Sequence, residues 1–482
     1  MNDEATGSLV DRTLQRLVRA WHGLARGDKQ DSAIAELAPD LPDEDLAHVR
    51  EQIDSCLAAR GGEVSARRRA AALGESYLLL SDLGRERFLR LLASDYGIDQ
   101  EAVRDLASSV ANAEGGEALG VAEDTLRRAL IAPRVRLLTQ FNVLPEGVKF
   151  LVDMRADLDR IGRGESALVA VERDLKDLLV SWFDIGFLEL RRITWDAPAH
   201  LLEKLMAYEA VHEIRSWDDL KNRLDSDRRC YAFFHPRMPE EPLIFIEVAL
   251  VNGISDNIQA LLDEGAPADN PEAADTAIFY SISNAQRGLA GVNFGDFLIK
   301  RVVDDLVRNL PNIKTFSTLS PIPGFRSWLD KRLEEGTVAL SKMEREGLAK
   351  AMAVAPAAAD PRTALARDDW FSDPVMNEAL RTPLLRVCTQ YLLYEKRGRR
   401  ALDPVAHFHL TNGARLERLN WLANASPTGM HRSYGIMVNY LYALKEIEAN
   451  HEGYRSSGKI AASAMIHEMA EEVARQQGPR GS

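Results

Sequence analysis

Cysteine is scarce. The 482 residues hold three, Cys56, Cys230 and Cys388, far apart and in no CxxC pairing. That excludes a disulfide framework and a cysteine-rich zinc site, and it suits a reducing compartment. Positive charge is also in deficit: 60 Lys plus Arg face 73 Asp plus Glu, a formal net charge of −13. A general nucleic-acid binder is a poor fit to that balance, although a local basic pocket for a phosphorylated metabolite is allowed. No run approaches the roughly 18 uncharged apolar residues that a membrane-spanning helix needs. The opening MNDEATGSLV is acidic and polar, unlike a signal core or an Arg-rich transit peptide, and the closing GPRGS lacks a peroxisomal Ser-Lys-Leu. A cytoplasmic protein is the expectation. What is present is ordinary for a globular chain, with 46% hydrophobic and 28% charged residues. At roughly 100–200 residues per domain, two or three domains follow.

Residues 1–190 read as helical throughout. Apolar side chains recur at three- and four-residue steps in Leu14, Leu17, Val18 and Trp21, and again in Tyr77, Leu80, Leu83, Phe88 and Leu91. Gly61-Gly62, Gly115-Gly116 and Gly162 to Gly164 punctuate the segments. Arg67-Arg68-Arg69 can bind an anion, but a solvated helix face is the better reading. This part predicts a bundle serving assembly or shielding and shows no catalytic constellation.

Near Ile193 the texture changes to short runs rich in β-branched and aromatic residues: Cys230 to His235, Leu243 to Val251, Thr276 to Ser283 and Lys314 to Leu319. Between the last two lie a turn-rich link, Asn284 to Gly291, and an amphipathic helix from about Gly295 to Asn309. Strand, helix, strand within about 45 residues predicts a right-handed βαβ unit with parallel strands. Further on, Pro404 to Leu410 reads as extended and Gly435 to Ile447 as an amphipathic helix.

Three places can carry chemistry. The link Gln286-Arg287-Gly288-Leu289-Ala290-Gly291 joins a strand to a helix, where backbone N–H groups and the helix dipole can hold pyrophosphate; it can equally be an ordinary turn. Ser320, in LSPIPGF, ends the second parallel strand at the edge that ligands favour in open α/β sheets, or is simply a serine before a proline-rich loop. No GxSxG elbow marks it as a hydrolase nucleophile. His407 and His409, read as a strand, project on one face, which allows a metal pair but better suits catalytic or hydrogen-bonding histidines. Tyr440 and Tyr442, read as helical, are packing tyrosines.

Taken together, PLIFIEVALVNGISDNIQALL, AIFYSISNAQRGLAGVNFGDFLIKRVV, FSTLSPIPGFRSWL, DPVAHFHLTNGARLERLNWLA and MVNYLY closely resemble the malonyl-CoA decarboxylase family over roughly residues 190–450. The resemblance implies a helical domain over 1–190 and, over 191–482, a catalytic domain of acetyltransferase (GNAT) type with a mixed sheet, in which coenzyme A enters where two parallel strands splay apart. It implies catalytic Ser320 and His409, an active-site Tyr442, and a substrate-binding segment Ala290, Gly291, Val292, Asn293, Phe294, Gly295 and Asp296, joined by Gln286 and Gly288 of the link. Animal members carry glutamate where this chain has Asn293, so a carboxylate role does not transfer there. A homo-oligomer, dimer or tetramer, is implied, with malonyl-CoA as substrate and neither nucleic acid nor membrane as partner.

Decarboxylating a malonyl thioester needs no metal or organic cofactor, because the thioester carbonyl itself takes up the electron pair. The enolate must then be stabilised and protonated at carbon. Two other classes stand beside this reading: an acyl-CoA-dependent acyltransferase on the same fold, and a non-catalytic malonyl-CoA sensor. Neither the acyltransferase nor the sensor releases carbon dioxide from malonyl-CoA alone.

Overall fold

The structure, a computed structural model, describes residues 15–25, 37–58, 62–162, 165–183, 185–292 and 298–477. Up to Trp182 the described chain is helical, with helices at 15–25, Asp43–Leu57, Glu63–Leu78, Asp82–Ser94, Gln100–Ala111, Gly116–Ala129, Pro133–Phe141, Gly147–Ile161 and Ser166–Trp182. Ser81 splits the Tyr77–Leu91 stripe in two by capping the second helix, its hydroxyl accepting Gly84 N–H at 3.2 Å. The helices bury an aromatic knot: Trp21 packs edge-on to Phe150 at 4.8 Å, and Tyr77 to Phe88 at 5.1 Å. Gly74 lets Trp21 in, since a Cβ there would stand 2.1 Å from the indole. Arg67 pairs with Glu63 one turn back at 2.7 Å, an exposed pair.

The second part is built on a mixed sheet of β1 (Glu189–Ile193), β2 (Arg228–His235), β3 (Met238–Val251), β4 (Thr276–Asn284), β5 (Thr315–Thr318), β6 (Ser320–Pro321), β9 (Arg415–Asn420) and β10 (Met437–Leu441); β7 (Lys396–Arg397) and β8 (Arg400–Ala401) form a separate hairpin. The order is β1-β2-β3-β4-β5-β10-β6, with β9 on the other edge of β10. All pairs in it are antiparallel except β4 and β5. These two are joined by the helix Leu298–Asn309, whose stripe Leu298, Ile299, Val302, Val303 and Leu306 is buried on the sheet. The expected βαβ unit is therefore present.

Pairing between β4 and β5 runs from Thr276↔Thr315 to Phe279↔Thr318 and ends with Leu319 N–H donating to Phe279 O. β4 continues to Asn284 along β3, and hydroxyls of Ser281 and Ser283 donate to the buried Glu209 at 2.8 and 3.0 Å. On the other side, β10 takes over from β4 as partner of Ser320 and Pro321. The parallel strands thus part just before Ser320.

Two local expectations change. Pro404–Thr411 is a helix, not an extended run: Asp403 caps it by accepting Val405 and Ala406 N–H, each at 3.0 Å, and Pro404 occupies its first turn. His407 and His409, two residues apart on a 3.6-residue turn, therefore face different ways. Gly435 to Ile447 is not a helix but contains the strand β10, in which Met437, Val438, Asn439 and Tyr440 are all buried, so neither face faces water.

Candidate active site

Alternation along the strand puts Phe316, Thr318 and Ser320 on one face and Leu319 on the other, where Leu319 packs with Ile278, Tyr280 and Met437. Side chains replace the missing ladder bonds at the step between β5 and β6. Tyr440 N–H donates to Thr318 Oγ1 at 3.1 Å, Asn439 Nδ2 donates to Thr318 O at 2.6 Å, and Ser317 Oγ donates to Tyr440 O at 3.2 Å. Asn439 is itself fixed by Asn420 Nδ2, which donates to its Oδ1 at 2.8 Å. The step holds Ser320 in one place without a flexible loop.

His409 sits in the last turn of the capped helix and meets Ser320 there. Its Nε2 is 3.1 Å from Ser320 Oγ, and its Nδ1 is 2.8 Å from the Tyr442 hydroxyl. Tyr442 follows β10, anchored by its N–H donating to Phe316 O at 2.8 Å. Exposure is 5% for Ser320 and 3% for both His409 and Tyr442. Burial pushes His409 down to about 3 and Tyr442 well up, so both stay neutral around pH 7. Ser320, His409 and Tyr442, three residues singled out in the sequence, are thus one hydrogen-bonded group. His407 is not part of it; its Nδ1 contacts the Tyr454 hydroxyl at 2.9 Å.

The strand-to-helix link lies differently. Arg287–Leu289 forms a 3₁₀ turn in which Leu289, Ala290 and Val292 N–H already donate to Gln286, Arg287 and Leu289 carbonyls. The Gln286 amide is buried and donates to Pro242 O at 2.9 Å. Gly288 presses on the helix Gly147–Ile161, where a Cβ would stand 1.7 Å from Val152 O, and its own carbonyl accepts Arg155 Nη1 at 2.6 Å. Packing between the two parts of the chain accounts for that glycine. Gly291 is exposed with φ +71°, and a Cβ on it would stand 3.4 Å from the ammonium of Lys176. Asn293, Phe294, Gly295 and Asp296 lie outside the described residues.

Sequence reading did not single out Thr318 or Asp403, and it gave Tyr440 a packing role only. Asp403 had a legible signal, an Asp-Pro pair opening an apolar run. Beyond its cap, Asp403 accepts Gly324 N–H at 3.3 Å and so ties the His409 helix to the LSPIPGF loop. Among the described residues no three His, Cys, Asp or Glu side chains gather as a group that could hold a metal, and no helix is long and apolar enough to cross a membrane.

Residues 186–478 match the malonyl-CoA decarboxylase C-terminal domain and residues 96–183 its N-terminal domain. The chain belongs to the malonyl-CoA decarboxylase family. It is 38% identical over 475 residues to the mitochondrial malonyl-CoA decarboxylase of Anser anser anser, covering 95% of this chain and 94% of that one. To the mitochondrial enzyme of Rattus norvegicus it is 40% identical over 402 residues, 79% and 81% of the two chains. Crystal structures of malonyl-CoA decarboxylase from Rhodopseudomonas palustris and Agrobacterium vitis superpose with TM-scores of 0.79 each, at 41% and 39% identity, covering 88% of this chain and 99% of theirs.

Proposed function

We propose that this chain decarboxylates malonyl-CoA to acetyl-CoA and carbon dioxide, with Ser320 and His409 handling the proton. The observation that carries the mechanism is the Tyr442–His409–Ser320 chain of hydrogen bonds beside the parting strands, in a member of this family. The bond between the carboxylate carbon and the methylene breaks, carbon dioxide leaves, and the electron pair enters the thioester as an enolate. A new C–H bond then forms with the Ser320 hydrogen, His409 refills the serine oxygen from one ring nitrogen, and the Tyr442 hydroxyl reloads the other. The nearly closed surroundings of Ser320 disfavour the carboxylate and keep stray water from competing. Ser320 works as an acid, so no acyl-enzyme forms.

The sheet supports a GNAT-type assignment: β4 and β5 run parallel and then part, which offers a channel for the pantetheine arm next to Ser320. Lys176, whose ammonium lies beside the exposed turn at Gly291, would supply positive charge for the coenzyme A phosphates. The helical part offers a surface for a homo-oligomer, and the avian and rodent relatives are mitochondrial enzymes, which makes mitochondria an alternative to the cytoplasm. The test is carbon dioxide release from malonyl-CoA alone by purified protein. Release only in the presence of an acyl acceptor would point to an acyltransferase, and binding without turnover to a sensor.

A further inference from the structure

Thr318 stands two residues before Ser320 on the same strand face and is fully buried. Its Oγ1 accepts the Ser320 hydroxyl hydrogen at 2.9 Å, while Tyr440 N–H takes a second position on the same oxygen. A serine hydroxyl has one hydrogen to give. With that hydrogen on Thr318, Ser320 Oγ meets His409 Nε2 as an acceptor, so Nε2 carries the imidazole hydrogen. A neutral imidazole carries only one, which leaves Nδ1 an acceptor for the Tyr442 hydroxyl at 2.8 Å. All the hydrogens then point one way, from Tyr442 through His409 and Ser320 to Thr318.

We propose that Thr318 is a positioning residue that sets the direction of this chain and holds His409 as its Nε2–H tautomer. The proposal rests on the decarboxylation reading for its use. In a serine–histidine pair poised for nucleophilic attack, the serine hydrogen lies on the imidazole and the ring acts as base. Thr318 draws that hydrogen away and turns the pair round, so that the ring is a donor. When the enolate forms, the Ser320 O–H swings from Thr318 to the carbanion and breaks as the C–H bond forms. Nε2–H passes to Ser320 Oγ, the Tyr442 hydrogen passes to Nδ1, and a proton from solvent restores the tyrosine. Once product has left, proton exchange with solvent returns the ring from Nδ1–H to Nε2–H and the serine hydrogen turns back to Thr318. One proton enters for each carbon dioxide lost. Remove the threonine hydroxyl and the serine hydrogen turns to Nε2, the ring becomes Nδ1–H, and Tyr442 changes from donor to acceptor.

The test uses full-length protein labelled with ¹⁵N-histidine, the His409 signals being identified by their loss in His409→Asn. Expected are an Nε2–H ring in the parent, a shift towards Nδ1–H in Thr318→Val, and the parental form in Thr318→Ser. Thr318→Val keeps the β-branched shape, so KM should stay within about twofold while kcat falls about tenfold, the scale of one lost neutral hydrogen bond; Thr318→Ser should recover most of it. The proposal is overturned by an Nδ1–H ring in the parent, by an unchanged tautomer or kcat in Thr318→Val, or by no recovery in Thr318→Ser. Should Thr318→Val fail to fold, the parental spectrum and Thr318→Ser still decide. The tautomer is read without turnover, so a parent that releases no carbon dioxide sinks the decarboxylation reading, and the spectra separately decide what Thr318 does.

Discussion

The His409 imidazole stacks on the Tyr440 ring, centroids 4.5 Å apart and planes 24° from parallel. Tyr440 therefore fixes the plane of the ring, while Tyr442, two residues on, bonds its edge. One strand supplies both constraints, and the capped helix supplies the histidine. The ring can turn neither in its plane nor out of it without losing a partner, which is what a proton relay of fixed direction needs.

Ser320 and His409 are expected to act in series. Ser320→Ala and His409→Asn should each lower kcat by about 100-fold or more, the usual scale for a positioned acid or base. The double variant should be little worse than the weaker single one. Steady-state kcat of the four proteins, folds checked by circular dichroism, decides this; losses that multiply would mean independent roles.

Tyr442→Phe keeps the ring, which packs edge-on to Phe279 with centroids 6.4 Å apart, and removes only the hydroxyl on His409 Nδ1. The fold should survive and kcat should fall about tenfold or more, since the variant loses both one hydrogen bond inside a closed site and the proton that reloads Nδ1. A comparison of kcat and Tm with the parent tests both halves.

Acid should destabilise the protein partly through its buried histidines. Burial holds both His409 and His212 near 3, against an ordinary 6.5. Between these values the unfolded chain binds protons that the folded chain refuses. The histidine contribution to stability is thus complete above about pH 6.5 and drains away as pH falls towards 3, by at most about 1.4 kcal/mol per pH unit for each ring. Urea unfolding of parent and His409→Asn from pH 7 to 4 should give the variant the shallower slope; equal slopes would show that His409 does not resist protonation.

The two glycines of the link should separate. Gly288→Ala drives a Cβ into the Val152 carbonyl and should cost about 1–3 kcal/mol of stability. Gly291→Val strains a backbone at φ +71°, and Lys176→Ala removes the neighbouring ammonium; both should weaken coenzyme A binding more than they lower Tm. Calorimetric titration alongside thermal unfolding distinguishes them, and coenzyme A bound at parental strength by both variants would remove this turn from the site.

The sequence by itself determined the change from helical to sheet-forming texture near Ile193, the βαβ unit and the blocks that carry the family resemblance. Periodicity, glycine punctuation and long ordered motifs are local properties, and the chain displays them directly. It did not determine the backbone around His409 or Tyr442. A strand buried on both faces has no alternation of polar and apolar residues, so β10 shows no strand period, and an Asp-Pro pair such as Asp403-Pro404 precedes turns and extended segments as well as helices. Only the tertiary structure brought His409 to Ser320 across 89 residues, put Thr318 and Tyr440 around them, and assigned Gly288 to packing on Val152. The physical reason is that hydrogen-bond partners distant along the chain are chosen by strand order and helix docking, which no single segment encodes.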